Sequence, residues 1–304
     1  MSCNISRLLV TNALYIGWVG LFWSPSLHQD IITVAYLGPL WSYSYQSALT
    51  KFGPNVKYDA QSSISMVFDA VHKRKAVYGI VPFENSTYGS VQETLDAFLA
   101  LPVESPLVVC SEIAFAIHHS LLSTSALSEI KKVYSHPQAL GQCAKWLHTN
   151  LPHVEQVGVS STSAAAEMAK NEPGAAAICS AACAELYNLN IIDRNIEDLL
   201  NNTTRFFVLG NSIDPPNHSN RTLLYFTVDP LKRWAVSDVM DTLKRHHIEI
   251  RRINSMPSGE HLWHYIYFIE MDGHVHDVNM KDAFLDLSSL CQSIRVVGSF
   301  HAQR

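Results

Sequence analysis

The chain has no Cys-x-x-Cys pair, no internal repeat and no low-complexity tract. Its six cysteines (Cys3, Cys110, Cys143, Cys179, Cys183 and Cys291) are scattered, so neither a disulfide framework nor a zinc site is predicted. Cys179 and Cys183, four apart in an alanine-rich stretch, are expected as small buried thiols on one helical face. His274 and His276 lack partners at zinc-like spacing, and no metal ligand set is expected. Charge is also scarce. Only 16% of residues are charged and the net charge is -5, so no basic excess exists to neutralise phosphates, which excludes a nucleic-acid binder. Lys73-Arg74-Lys75 and Arg251-Arg252 are read as solvated faces. A hydrophobic share of 47% over 304 residues supplies core for two or three domains.

A spanning apolar run is lacking too. Leu8 to Trp23 is free of charge after Arg7 and resembles a signal h-region or short anchor, yet it falls short of the ~20 residues a membrane helix needs. Residues 1–30 are left unassigned, and no membrane partner is expected. Asn-x-Ser/Thr triplets begin at Asn85 and Asn202. Both asparagines are expected inside a substrate pocket, where a glycan has no room, so a cytoplasmic protein is predicted over a secreted one.

From Ile31 strands and helices alternate. Strands are predicted over Ile31–Leu37, Ala76–Phe83, Glu112–His118, Lys132–Tyr134, Val154–Val159, Ala175–Ser180 and Phe206–Leu209, with helices between them. Capping boxes are predicted at Ser90 with Glu93 and at Ser135 with Gln138, and Ser161 is predicted to cap a helix over Ala164–Lys170. Repeated units of this kind predict parallel sheets flanked by helices, with sites at the carboxyl ends of strands. After a proline-bearing linker over 211–220, the order over 221–304 becomes β-α-β-β-α-β, a ferredoxin-like α+β arrangement.

Three polar clusters follow strands or start helices. Pro82-Phe83-Glu84-Asn85-Ser86 delivers an acid, an amide and a hydroxyl to a strand end; it reads equally as a capped loop. His136-Pro137-Gln138 starts a helix, and Gln138 reads equally as a cap. In Asn202-Thr203-Thr204-Arg205-Phe206 an Arg beside a Thr can hold a carboxylate bidentately, or can simply be an exposed Arg after an asparagine turn.

Together these strings resemble prephenate dehydratase: Gly38-Pro39 with Ser42-Tyr43-Ser44, then Glu84-Asn85-Ser86, His136-Pro137-Gln138, Ser161-Thr162 and the Thr204-Arg205-Phe206 signature. The segment ending Gly298-Ser299-Phe300 is similar to the ACT regulatory domain attached to many of these enzymes. The resemblance spans roughly Ile31 to Phe300. It implies a two-lobed, periplasmic-binding-protein-like α/β catalytic domain over 31–210, a linker over 211–220 and an ACT domain over 221–304, assembled as a homodimer or homotetramer. It implies cofactor-free conversion of prephenate to phenylpyruvate in phenylalanine biosynthesis, with Thr204 as the catalytic hydrogen-bond donor. Asn85, Ser86, Gln138, Glu84, Ser44 and Phe206 are implied to bind substrate. Arg205 is our candidate for the side-chain carboxylate, with pairing to Asp198 as the structural alternative.

Arogenate dehydratase, on the same scaffold, is the nearest alternative activity; an inactive amino-acid sensor and a two-lobed solute receptor are the others. The chain departs from the family pattern at Trp41, where a glycine is usual, and at Tyr45, where a histidine is common. Phenylalanine is the implied effector. Its site is expected at Ala235-Val236 and at a turn formed by Asn254, Ser255, Met256 and Pro257, with binding weakened by Trp234 and Met256.

Overall fold

In the computed structural model the described residues are 31–102, 104–259 and 261–302. The apolar run Leu8–Trp23 lies outside them. Strand β1 (Thr33–Leu37) is buried at Val34, Ala35 and Tyr36 and leads into α1 (Tyr43–Phe52), where Ser42 accepts the Tyr45 N–H as N-cap. Next come β2 (Lys57–Gln61) and α2 (Ile64–His72), capped by Ser63. The pair went unpredicted: β2 is a half-exposed edge strand, so it carries no apolar alternation.

Strands β3 (Tyr78–Asn85) and β4 (Gly89–Ser90) form a tight hairpin before α3 (Gln92–Leu99). Strand β5 (Val108–Ala116) leaves this lobe. The second lobe is built from β6 (Ser120–Ser123), β7 (Lys132–Ser135), α4 (Pro137–Gln142), α5 (Ala144–Asn150), β8 (Glu155–Gly158), α6 (Thr162–Ala169), β9 (Ala175–Cys179), α7 (Cys183–Tyr187) and β10 (Asn190–Arg194). The chain returns as β11 (Thr203–Gly210). Then β12 (Asn220–Thr227), α8 (Ala235–Arg245), β13 (Ile250–Pro257), β14 (Tyr265–Asp272), α9 (Val278–Leu290) and β15 (Ser293–His301) give the expected β-α-β-β-α-β order.

One sheet has ten strands, ordered β13-β14-β12-β15-β5-β11-β3-β1-β2 with β4 on β3; the other runs β10-β6-β9-β7-β8. Both are mixed, which corrects the parallel expectation. Strand β11 lies antiparallel to both β3 and β5 because it re-enters from the second lobe, opposite to the outgoing chain. Helices α2 and α3 and the inner face of the C-terminal strands share one core, in which Phe83 stacks on Phe207 and Phe207 meets Phe300. The junction is close: β15 meets β5 at Gly298 and Val109, where a Cβ on Gly298 would stand 2.2 Å from the Val109 carbonyl oxygen. Any side chain there separates the strands.

Two expected capping boxes are absent. Ser90 belongs to β4 and Val91 occupies the N-cap of α3, while His136 caps α4 and Ser135 donates to the Ile178 carbonyl at 2.6 Å. Ser161 does cap α6. Cys179 and Cys183 are both buried, but one ends β9 and the other starts α7, so they do not share a helical face.

Candidate active site

The chain crosses between lobes twice, through 117–119 and 195–202. Buried Glu197 ties the crossings together, accepting the His119 N–H at 2.8 Å and facing His118 Nδ1 at 2.7 Å. The Ile117 N–H donates to the Asn202 carbonyl at 2.9 Å. His119 is itself buried between the Tyr43 hydroxyl at 3.0 Å and Gln142 Oε1 at 2.7 Å. Burial holds its pKa below the usual histidine value, with Gln142 opposing, so the ring is neutral. Burial also pushes the Tyr43 phenol well above its ordinary range.

Just beyond the second crossing, β11 sets Thr204 opposite Asn85 of β3 and Phe115 of β5. The Asn85 amide donates to Thr204 Oγ1 at 2.9 Å and to Asn202 Oδ1 at 2.8 Å. Asn85 Oδ1 accepts the Thr87 and Tyr88 N–H groups at 2.9 and 3.1 Å, closing an Asx turn. Thr204 therefore accepts from Asn85 and keeps its own proton for another acceptor. Ser86 Oγ accepts the Thr203 N–H at 3.0 Å in the same way. Asn202 is 2% exposed and its Nδ2 has no partner among the described residues.

The back of the same two strands is charged. Alternation sends Arg205 to the face opposite Thr204. A bulge between Arg205 and Phe206 turns Phe83 and Glu84 together toward that face. The Arg205 guanidinium donates to Glu84 at 3.0 Å, to Glu112 at 2.5 Å and to Glu270 at 2.8 Å. Burial pulls its pKa down, but Glu270 and Glu112 outweigh that and hold it above the usual arginine range. Arg252 Nε binds the other Glu84 oxygen at 2.9 Å, and Arg221 adds a contact to Glu270 at 3.0 Å.

These contacts correct the expectation that Arg205 and Glu84 bind substrate: their charges are consumed by each other and by the C-terminal strands. Nor does Arg205 pair with Asp198, which accepts the Lys145 N–H instead. Phe206 shares the Thr204 face but is buried among Val34, Tyr36, Ile113 and Val208, so it supports the site from below as core.

Ser44 is buried in the first turn of α1, beside Tyr43. Gln138 is exposed at the start of α4, and its carbonyl receives the Tyr88 hydroxyl at 3.3 Å across the crevice. Ser163 Oγ donates to the Leu40 carbonyl at 2.7 Å and Ser180 Oγ to Gln46 Oε1 at 2.9 Å, bringing the capped N-termini of α6 and α1 together at the lobe junction. Trp41 packs on the second lobe and takes a left-handed backbone, φ 63°, where glycine is least strained. Phe115, Tyr88 and His119 escaped the sequence reading, because isolated aromatics and a histidine beside apolar strands look like core, and Tyr43 entered it only as part of the Ser42-Tyr43-Ser44 string.

In the C-terminal strands a cavity of about 350 Å³ is lined by Trp234, Ala235, Val236, Trp263, Tyr265 and Tyr267, among others. Asn254, Ser255, Met256 and Pro257 do not line it and form no turn. They continue β13, and Met256 is 7% exposed in the core shared with α3.

Two α/β lobes, with uncharged donors gathered where the chain crosses between them, have the architecture of a two-lobed enzyme. A family model described as prephenate dehydratase matches residues 34–213. A bifunctional chorismate mutase/prephenate dehydratase of Aquifex aeolicus is 38% identical over 88% of this chain and 73% of its own. A prephenate dehydratase of Amycolatopsis methanolica is 30% identical over 88% of each chain. The crystal structure of the Arthrobacter aurescens prephenate dehydratase in complex with L-Phe superposes with a TM-score of 0.81 at 27% identity, covering 89% of this chain and 90% of that one. This chain belongs to the prephenate dehydratase family.

Proposed function

We propose that this chain converts prephenate to phenylpyruvate, with Thr204 donating the hydrogen bond that assists the leaving hydroxyl. The bond between the ring and its carboxylate breaks, CO2 departs, and the released electron pair completes the aromatic ring. The ring C–O bond breaks at the other end, and hydroxide leaves as water after taking up a proton. A threonine hydroxyl is too weak an acid to stand ready as a free proton source, so its part is a preorganised hydrogen bond. The observation that carries the reading is the Asn85–Thr204 contact of 2.9 Å, which occupies the threonine oxygen as acceptor and leaves its proton for the substrate.

Ser86 and Gln138 are neutral donors for the dianion, and Asn85, whose two amide protons go to Thr204 and Asn202, serves the site by holding Thr204. Neutrality suits the reaction, since a fixed cation beside the departing carboxylate would stabilise the ground state. The converging N-termini of α1, which carries Ser44, and α6 add partial positive charge without a formal one. The test is turnover of prephenate followed as phenylpyruvate in alkali, beside arogenate as competing substrate. Prephenate turnover that collapses in Thr204→Ala is expected; turnover of arogenate alone would replace the substrate, and none of either would end the reading.

Residues 221–304 are proposed as an ACT domain that mediates homo-oligomer formation and offers the cavity at Ala235 and Val236 to phenylalanine. Trp234, 72% exposed at the α8 N-cap, places an indole where backbone N–H groups would meet an amino acid. Calorimetric titration with L-phenylalanine is expected to show weakened binding or none; ordinary micromolar affinity would overturn this expectation.

A further inference from the structure

The two lobes touch on both faces of the five-stranded sheet, and the contacts differ in strength; at the crossing, Tyr43 also reaches Gln142 of α4 through His119, at 3.0 and 2.7 Å. On the α6–α7 face, Trp41 is packed into the second lobe's core, and hydrogen bonds of 2.7 and 2.9 Å join Ser163 to Leu40 and Ser180 to Gln46. On the α4 face the Tyr88 side chain crosses from the tip of the β3–β4 hairpin. Its hydroxyl meets the Gln138 carbonyl at 3.3 Å, the long end of the O–H···O range, and Tyr88 stays 45% exposed.

Any larger residue at position 141 would have to displace the hydroxyl. A Cβ built on Gly141 would stand 2.6 Å from the Tyr88 oxygen. The hairpin behind Tyr88 is rigid: Asn85 Oδ1 takes the Tyr88 N–H, and Arg252 holds both Glu84 and Ser90 at its base. The same Asn85 amide holds Thr204.

We infer that Tyr88 and Gly141 form a latch across the mouth of the crevice, making Tyr88 a positioning residue that retains substrate over Thr204. This rests on the dehydratase reading for its kinetic readout. The long, half-exposed contact is the one that opens, while the Trp41 packing and the His119–Gln142 bridge at the crossing stay closed. Because Asn85 anchors both the latch hairpin and the threonine, closing the mouth and orienting the donor are mechanically joined.

The experiment is a double-mutant cycle on the full chain. Tyr88→Phe and Gly141→Ala are each expected to raise the KM for prephenate about three- to tenfold, the span set by losing one neutral hydrogen bond, with kcat kept within about twofold. In a Tyr88→Ala background, Gly141→Ala is expected to change KM by less than about 1.5-fold, because its Cβ then has nothing to displace. Amide exchange at Thr87–Gly89 in the substrate-free protein is expected to speed up in both single variants. Equal KM penalties for Gly141→Ala in the two backgrounds, or a fall in kcat at constant KM, would overturn the latch. Should the wild type not turn over prephenate, the dehydratase reading fails, and unchanged exchange in the variants would separately sink the latch.

Discussion

The β3–β11 pair presents two opposite chemistries one residue apart. Its crevice face carries Asn85 and Thr204 beside Asn202, all uncharged, with an amide nitrogen and a hydroxyl proton left over. Its back face carries Arg205 and Glu84 inside a cluster of three arginines and three glutamates whose contacts close on one another. Adjacent residues on one strand thus divide between a face that keeps hydrogen-bonding capacity for a ligand and a face that spends it on holding the C-terminal strands. A residue's place in a signature string therefore says little about its role until its strand face is known.

The largest expected effect tests the crevice face. Thr204→Val keeps the β-branched shape that suits β11 and removes only the hydroxyl, so kcat should fall about 10²- to 10³-fold while unfolding free energy falls by about 1 kcal/mol, the loss of the Asn85 contact. Comparable losses of stability and rate would mean that Thr204 is structural and would erase the contrast.

Arg205→Met makes the converse test. It takes from Glu112 and Glu270, at 3% and 1% side-chain exposure, the nearer of the two arginines they share, leaving only Arg221 at 3.8 and 3.0 Å. Unfolding in urea should show a loss of about 3–5 kcal/mol, the range for breaking a buried ion pair from one side. The variant that still folds should keep most of its kcat if Arg205 never touches substrate.

Asn85→Ala should fall between these. It removes the Thr204 contact and the Asx turn together, so kcat is expected to drop about 10-fold or more while stability falls by about 1–2 kcal/mol. An effect on stability alone would assign Asn85 to the hairpin only.

The smallest effect concerns the lobe crossing. His119 is held neutral by burial, so its folded pKa lies below the unfolded value near 6.5. Below that pH the unfolded chain binds a proton that the folded site refuses. Stability should therefore be level above pH ~6.5 and decline as pH falls. His136, also shifted down by burial, adds a slope of the same sign. His119→Gln should flatten part of the decline; an unchanged profile would place the pH sensitivity elsewhere.

Much of the chain was legible before its coordinates. The order of strands and helices from β7 to β9 and from β12 to β15 follows from apolar runs bounded by caps and turns, and most of those strands are buried, β8 and β13 excepted. Strands β2, β6 and β10 were missed, as was the two-residue β4, read as a helix cap at Ser90. Strands β2 and β10 are half-exposed edges without alternation, and β6 is four residues long. Asn85 and Thr204 were legible as a pair of strings; that one's amide holds the other's oxygen was not.

What the sequence determined alone is family, element order and the chemical character of the donors, since these depend on local residue types and their spacing. Tertiary structure decided which signature residues face the crevice, because strand alternation and one bulge turn Arg205 and Glu84 away from Thr204. It also decided that Tyr88 reaches Gly141, a contact between residues on different lobes that no local pattern encodes. Both facts depend on register and approach between distant segments, and those arise only when the whole sheet and both lobes pack together.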